Sequence, residues 1–376
     1  MSDRESTRSS EVLSRISARL QNASVLGRLA IAVASTVSAL LIGLMIVAAS
    51  GYDPVQFLAN VFEGSFGDDA AIARTLKFTT IFVLTGVAVA VAFRAGVFNI
   101  GVQGQFIVGG FATVISILWL APMVPEGTIG GIILMLVGFL AAAITGGAYA
   151  ALPGALKAYT DTNEIITTIM LNFIAIGAVG WLVEGPFRGE DQAAANTERI
   201  PEYVAFPRLI YDVPDFSMVG LAIALVVSGV LSVLLVRTGF GYDIVTSGYQ
   251  QSAAAYSGVD AKRMIVVTMT ISGMVAGIAG AIFAIMIQGY YSTPGGIATY
   301  GYDAIAVSLL AANNPLGVIP AGLLFGGLDS ATSFIGLNSD VPAQLIDGIV
   351  GLVVLFVAAP ELFRMAARRT GMDGDD

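Results

Sequence analysis

The chain of 376 residues contains no cysteine and no histidine, and only 12% of it is charged. Without cysteine there is no disulfide framework and no thiol chemistry. Without histidine the commonest metal ligand is missing, and so is the side chain that titrates nearest neutral pH. Ser-His-Asp, Cys-His and zinc mechanisms of the usual kinds are therefore excluded. No GxxxxGK[ST] run occurs either, so the chain is not an ATPase by the phosphate-loop mechanism. A net charge of −9 and a pI near 4.6 argue against a nucleic-acid partner and fit an acidic solvated surface.

What the chain has in abundance is apolar sequence: 56% of its residues are hydrophobic and the mean hydropathy is +0.82. The apolar residues fall in runs of about 18 or more, long enough to cross a bilayer. The fold class is therefore an all-α, polytopic integral membrane protein. Spans are predicted at Arg28–Ser50, Thr75–Phe93, Gln103–Ala121, Thr128–Leu152, Glu164–Val183, Ser217–Val236, Met264–Ile287, Asp303–Ala312, Leu316–Ser330 and Ala343–Ala359. The polar break at Asn313, Asn314 and Pro315 separates the eighth from the ninth; a single bent span there gives nine instead of ten.

Positive charge favours cytoplasmic loops. With ten spans and a cytoplasmic N-terminus, only Arg74, Lys77, Arg188, Arg199 and Arg208 fall outside, leaving the other 13 of 18 basic residues inside. This predicts a cytoplasmic tail over 1–27, a transmembrane domain over 28–360 and a second cytoplasmic tail over 361–376. The apolar stretch Leu29–Ala49 exceeds the usual length of a signal-peptide core and reads as a retained span. Pro54, Phe57, Leu58, Val61 and Phe62 share one side of a short helix, lying either on the outer membrane surface or against neighbouring spans. The acidic segment Glu184–Phe216, 33 residues long, is external and too short for a core of its own, so it reads as a docking surface or lid. With the first span set aside, spans two to five and seven to ten form sets of opposite topology, the pattern of an inverted repeat.

Two polar clusters stand out. In Phe93–Gln105, glycines permit irregular backbone, and Asn99, Gln103 and Gln105 offer amides suited to a hydroxylated solute. Such backbone either lines a cavity or forms a tight turn with capping amides. At the start of the fifth span Glu164 sits in the first helical turn, while Thr168 and Asn172, four apart, face one neighbour. They either bond helix to helix or contact solute. Gly273, Gly277, Gly280 and Ala284 mark a close-packing face, as do Gly322 and Gly326. Asp303, Asp329 and Asp347 fall at or near span ends, where solvated capping explains them.

The least membrane-like internal segment is Arg237–Arg263. Tyr249–Ser257 lacks glycine and proline and opens onto Gly258, which predicts a short helix with a glycine stop. Tyr249, Ala253 and Tyr256 then share a face. That helix is either a connector or a plug for a groove on another protein.

Four segments occur in order: AVAFRAGVFNIGVQGQF, TNEIITTIMLNFIA, GYQQSAAAYSGVDAKRMIVVTMTISGMVAGIAGAI and YDAIAVSLLAANNPLGVIPAGLLFGGL. Together they resemble the permease subunits of ATP-binding-cassette importers for simple sugars and nucleosides, within the branched-chain amino acid/ribose-type permease family, across about Tyr52–Pro360. The resemblance implies a pore of two permease subunits in the cell membrane, the second commonly a paralogue. It also implies cytoplasmic ATP-binding subunits carrying ATP and Mg, and an external solute-binding lipoprotein. On that analogy Tyr249, Gln250, Ala253, Ala254, Tyr256 and Gly258 couple to the ATPase, although Gly248-Tyr249-Gln250 stands where relatives often have Gly-x-Asn. Asn99, Gln103, Gln105, Thr168 and Asn172 are the candidates for the solute path, and no cofactor is expected in this chain. The rival expectation is an ion-gradient-driven carrier of a small polar solute, with Glu164 or Asp303 handling the coupling ion.

Overall fold

Long apolar segments must satisfy their own backbone, and among the described residues every regular element is helical. The computed structural model describes residues 37–38, 40–190, 194–294, 299–342, 345–349, 351–352 and 355–356. The predicted tails lie outside these residues, as do parts of the last predicted span. The chain divides into two units, residues 65–330 and residues 1–64 with 331–376.

In the smaller unit, helix α1 is described over Leu40–Ala49, the second half of the first predicted span. Helix α2, Pro54–Phe66, starts where the Asp53 carboxylate accepts hydrogen bonds from the backbone of Val55 (2.8 Å) and Gln56 (3.2 Å). Its predicted apolar face divides. Phe57 is buried with Val47, Ile335, Val341, Ile346 and Ile349, and Val61 packs against that cluster, whereas Leu58 and Phe62 stay exposed.

The larger unit is built round helix α3, Asp69–Arg94. Asp68 caps it by accepting from Ala71 N (2.6 Å), and Asp69 and Arg94 complement its dipole at either end. Its interior polar residues satisfy themselves: Thr79, Thr80 and Thr85 donate to carbonyls four residues back, and Thr75 donates to Ser65 O. With 78% of its apolar window buried, α3 is interior. Helix α4 follows at Val102–Leu120 and α5 at Thr128–Thr160. Helix α5 runs eight residues beyond the predicted end at Leu152. Pro153 removes only one hydrogen bond, and the turn beyond it is held by packing of Gly154 on Met269. At 33 residues it is about 50 Å long, well over a bilayer's hydrocarbon thickness.

Helix α6, Glu164–Glu184, is capped by Asn163, whose side chain accepts from Ile165 N and Ile166 N. Thr168, Asn172, Ala175, Val179 and Val183 form its one buried stripe, while Ile166, Met170, Phe173, Ile174 and Trp181 are exposed. Only 22% of its apolar window is buried, so it is peripheral. Helix α7, Met218–Arg237, is capped by Ser217, and Ser228 Oγ donates to Pro315 O at 2.6 Å.

Two short helices, α8 (Gly239–Tyr249) and α9 (Gln251–Tyr256), precede α10, Ala261–Ile282, which continues as a π-helix over Phe283–Gln288. The predicted small-residue face of α10 is used by two neighbours. A Cβ at Gly277 would meet the carbonyl oxygen of Ala142 on α5, and one at Gly280 that of Phe106 on α4. Helix α11, Tyr300–Leu310, is separate from α12, Val318–Asn338, so the broken pair is two helices. Gly322 and Gly326 of α12 approach Val83 and Thr79 of α3.

Among the described residues seven helices are long and apolar enough to cross a membrane: α3 to α7, α10 with its π extension, and α12. Helix α11, with 11 residues, is too short to span alone.

Candidate functional site

The polar elbow between α3 and α4 is where irregular backbone enters the helical body. Gly96 turns the chain at φ +68°, and a Cβ there would meet the Gly248 carbonyl oxygen at 2.7 Å, so glycine answers both requirements. Arg94 Nε donates to Asn313 O (3.0 Å), tying the elbow to the break between α11 and α12, where Ser308 Oγ donates to Asn313 Oδ1 (2.9 Å).

The five residues singled out for the solute path converge here, and all are buried. Asn99 and Gln105 form a reciprocal amide pair, each Nδ2 or Nε2 donating to the other's oxygen at 2.9 Å. Asn99 Nδ2 also donates to Ser272 Oγ on α10 (2.8 Å), and Ser272 in turn donates to Ala88 O on α3 (2.6 Å). Asn172 of α6 accepts from Gly104 N (2.8 Å) and donates to Ile100 O (2.9 Å). Gln103 Oε1 accepts from Gly301 N of α11 (2.7 Å), and Thr168 Oγ1 donates back to Glu164 O (2.6 Å). In this conformation Asn172 ties α6 to the backbone at Ile100 and Gly104, Asn99 ties the elbow to Ser272 of α10, Gln103 ties α4 to α11, and Thr168 bonds only within α6. For Asn172 the interhelical reading is the one this arrangement favours.

The segment Arg237–Arg263 is helical, but not as one predicted helix. Gln250 is extended (φ −159°, ψ 109°), which ends α8 at Tyr249 and starts α9 at Gln251. Tyr249 therefore does not belong to the helix of Ala253 and Tyr256. The side chains still converge outwards, with Tyr249 81% and Tyr256 95% exposed beside exposed Gln250 and Ala253. Ala254 faces the other way: it is fully buried, so its side chain anchors α9 to this chain and is not available to a partner. Gly258 stops the turn at φ +84°, as predicted. Ile244 is fully buried, and Gly248 abuts Arg94, Ala95 and Gly96, so the loop rests directly on the elbow.

A third feature lies beneath the acidic segment that the sequence marks as a docking surface or lid. A cavity of about 730 Å³ lies between residues 199–217 and the end of the π-helix, lined by Arg199, Glu202, Phe206, Arg208, Asp215, Phe216 and residues 285–289 among others. The 194–217 segment is stitched to the chain beyond α10. Thr197 N donates to Tyr291 O, Tyr291 N to Thr197 Oγ1 and Ile200 N to Gly289 O, each at 2.9 Å. Arg199 lies 5.0 Å from the centre of the Tyr290 ring.

Seven membrane-capable helices enclosing a hydrogen-bonded elbow define a multi-pass membrane protein. The chain belongs to the branched-chain amino acid transport system / permease component family, which matches residues 71–358. It is 31% identical to the guanosine ABC transporter permease protein NupP of Bacillus subtilis, over 86% of this chain and 90% of that one. It is 28% identical to the nucleoside ABC transporter permease protein NupB of Lactococcus lactis, over 85% and 87%. It is 29% identical to a glucose ABC transporter permease protein of Haloferax volcanii, over 88% and 87%. The chain is thus a transport component and not an enzyme. The first two organisms each supply a second permease of the same description, matched over 72% and 68% of this chain, so permeases related to this chain occur in pairs.

Proposed function

We propose that this chain is one membrane-spanning half of an ABC importer for a nucleoside or a simple sugar, working with a second permease in the cell membrane. The observation that carries this reading is similarity along more than four-fifths of the chain to two nucleoside permeases and one glucose permease. Ten membrane segments, counting the short α11 as one, with an inverted repeat and cytoplasmic termini, complete the proposed topology. ATP and Mg act on separate ATP-binding subunits, and an external lipoprotein delivers the solute.

In the proposed cycle, closure of the ATPases moves α8 and α9, and the permease pair rocks between outward-open and inward-open states. Tyr249, Gln250, Ala253 and Tyr256 supply the contact surface, Ala254 anchors it and Gly258 ends it. Because α8 rests on the Gly96 turn, motion of the loop reaches the elbow directly. Asn99, Gln103, Gln105, Thr168 and Asn172 act on the solute path as positioning residues, holding the backbone that walls it. The experiment replaces Tyr249 or Ala253 with Asp in the purified assembly. The protein stays folded in the membrane, but co-purification of the ATPase and uptake are both lost. Retained ATPase binding with normal uptake contradicts the coupling role.

A further inference from the structure

Helix α8 is seated on α10 and on the end of α3. At its last turn the seat is backbone on backbone, since a Cβ at Gly248 would meet Arg94 O and Ala95 C at 2.6 Å and Gly96 N at 2.8 Å. Two buried hydroxyls in this region, Ser247 Oγ and Thr268 Oγ1, have no hydrogen bond among the described residues. Ser247 directly precedes Gly248. Thr268 lies one turn before Ser272, the partner of Asn99, and so shares the side of α10 that meets the elbow. The only other buried side-chain atom in this state among the described residues is Gln288 Oε1, so the deficit is concentrated at the seat of α8.

Both hydroxyls have acceptors within their own helices. Thr79, Thr85, Thr113 and Thr168, likewise buried in helices, all donate to the carbonyl four residues back. Ser247 and Thr268 do not, so packing at the seat holds their hydroxyls away from those carbonyls. A buried hydroxyl without a partner is costly. Two such costs at one contact between elements favour a second arrangement of that contact that relieves them.

We propose that Ser247 and Thr268 are positioning residues of the transport cycle, bonded in a second seating of α8 on α10 and unbonded in this one. The two hydroxyls bias α8 out of its present seat. Because Gly248 abuts the Gly96 turn, a shift of α8 by about 1–2 Å, the usual size of helix shifts in switching proteins, is passed to the elbow. The proposal rests on the importer reading above for what drives the shift, which is the ATPase acting through α9.

The chain has no cysteine, so Tyr242→Cys on α8 and Tyr159→Cys at the end of α5, both exposed, take spin labels at those two positions alone. The distance between the labels is measured by double electron–electron resonance in the full importer, with cysteine-free partner subunits in lipid nanodiscs, without nucleotide and with ATP trapped by vanadate. Two distance populations that exchange with nucleotide are expected. Ser247→Ala and Thr268→Val should each shift their ratio about tenfold towards the distance of the present seat, the equivalent of one buried hydrogen bond, and slow ATP-dependent uptake while ATPase binding persists. Thr268→Ser, which keeps the hydroxyl, holds the ratio near that of the unaltered chain. Ser247→Ala carries the test if Thr268→Val does not fold. A single population in both nucleotide states, or a ratio unaltered in the folded variants, overturns the positioning role. Populations that answer to an ion gradient and not to ATP, with the variants still shifting their ratio, sink the importer reading alone.

Discussion

The elbow and the cavity are both polar clusters walled by apolar helices, yet they differ in what their polar atoms do. At the elbow Asn99, Gln105 and Asn172 spend their amides on one another and on backbone, so the cluster is closed. Gln288, on the cavity wall, keeps a buried oxygen with no hydrogen bond among the described residues. Polarity inside a membrane protein thus has two uses. A saturated network fixes backbone, and polar groups round a cavity line open volume.

Substitutions should separate the two uses by their effect on stability. The largest loss is expected for Asn99→Leu, which strips the partners from Gln105 and Gly101 N in a buried site, on the order of 3–5 kcal/mol at roughly 1–3 per orphaned group. Thermal unfolding in detergent should show a steep fall in midpoint or no folded protein. Asn172→Ala frees Gly104 N and Ile100 O and is expected to cost about 2–4 kcal/mol by the same reasoning, with slower uptake because the elbow loosens. An unchanged midpoint would mean that the α6 contact is dispensable. Lys157 bridges Asp161 (3.2 Å) and Glu164 (3.4 Å) where α5 hands over to α6, and Asp161 is highly exposed. Lys157→Met should therefore cost no more than about 1 kcal/mol and less in high salt. Gln288→Leu should have the smallest effect of all, since removing the unbonded Oε1 offsets the loss of the single long hydrogen bond from Nε2 to Ser292 Oγ (3.2 Å). If it destabilises as much as Asn172→Ala, the contrast between the clusters fails.

Much of the fold was legible because apolar runs and caps are local signals. Asn163 ahead of Glu164 and Asp260 ahead of Ala261 behave as capping residues, and the bounds of α4, α6 and α7 lie within a residue or so of expectation. Where prediction failed, the cause was tertiary. Helix α5 passes Pro153 because α10 packs on the turn beyond it, and α8 breaks from α9 at Gln250, two residues after Gly248, which sequence alone does not mark as a helix end. The residues of the elbow could be picked out from composition, but their partners could not, since Ser272 and Gly301 lie more than 150 residues away in the chain. The cavity was illegible for the same reason, its walls coming from two segments far apart in sequence.

The account's central claim is that transport through this chain is driven by ATP hydrolysis on a partner, delivered through α8 and α9. It is tested most directly by uptake of guanosine and glucose into proteoliposomes holding this chain, its partner permease, the ATPase and the binding lipoprotein. The account predicts uptake of one of these solutes that requires hydrolysable ATP, ignores ionophores and disappears in Tyr249→Asp. Uptake that continues without ATP and collapses when ionophores dissipate the ion gradient would contradict it.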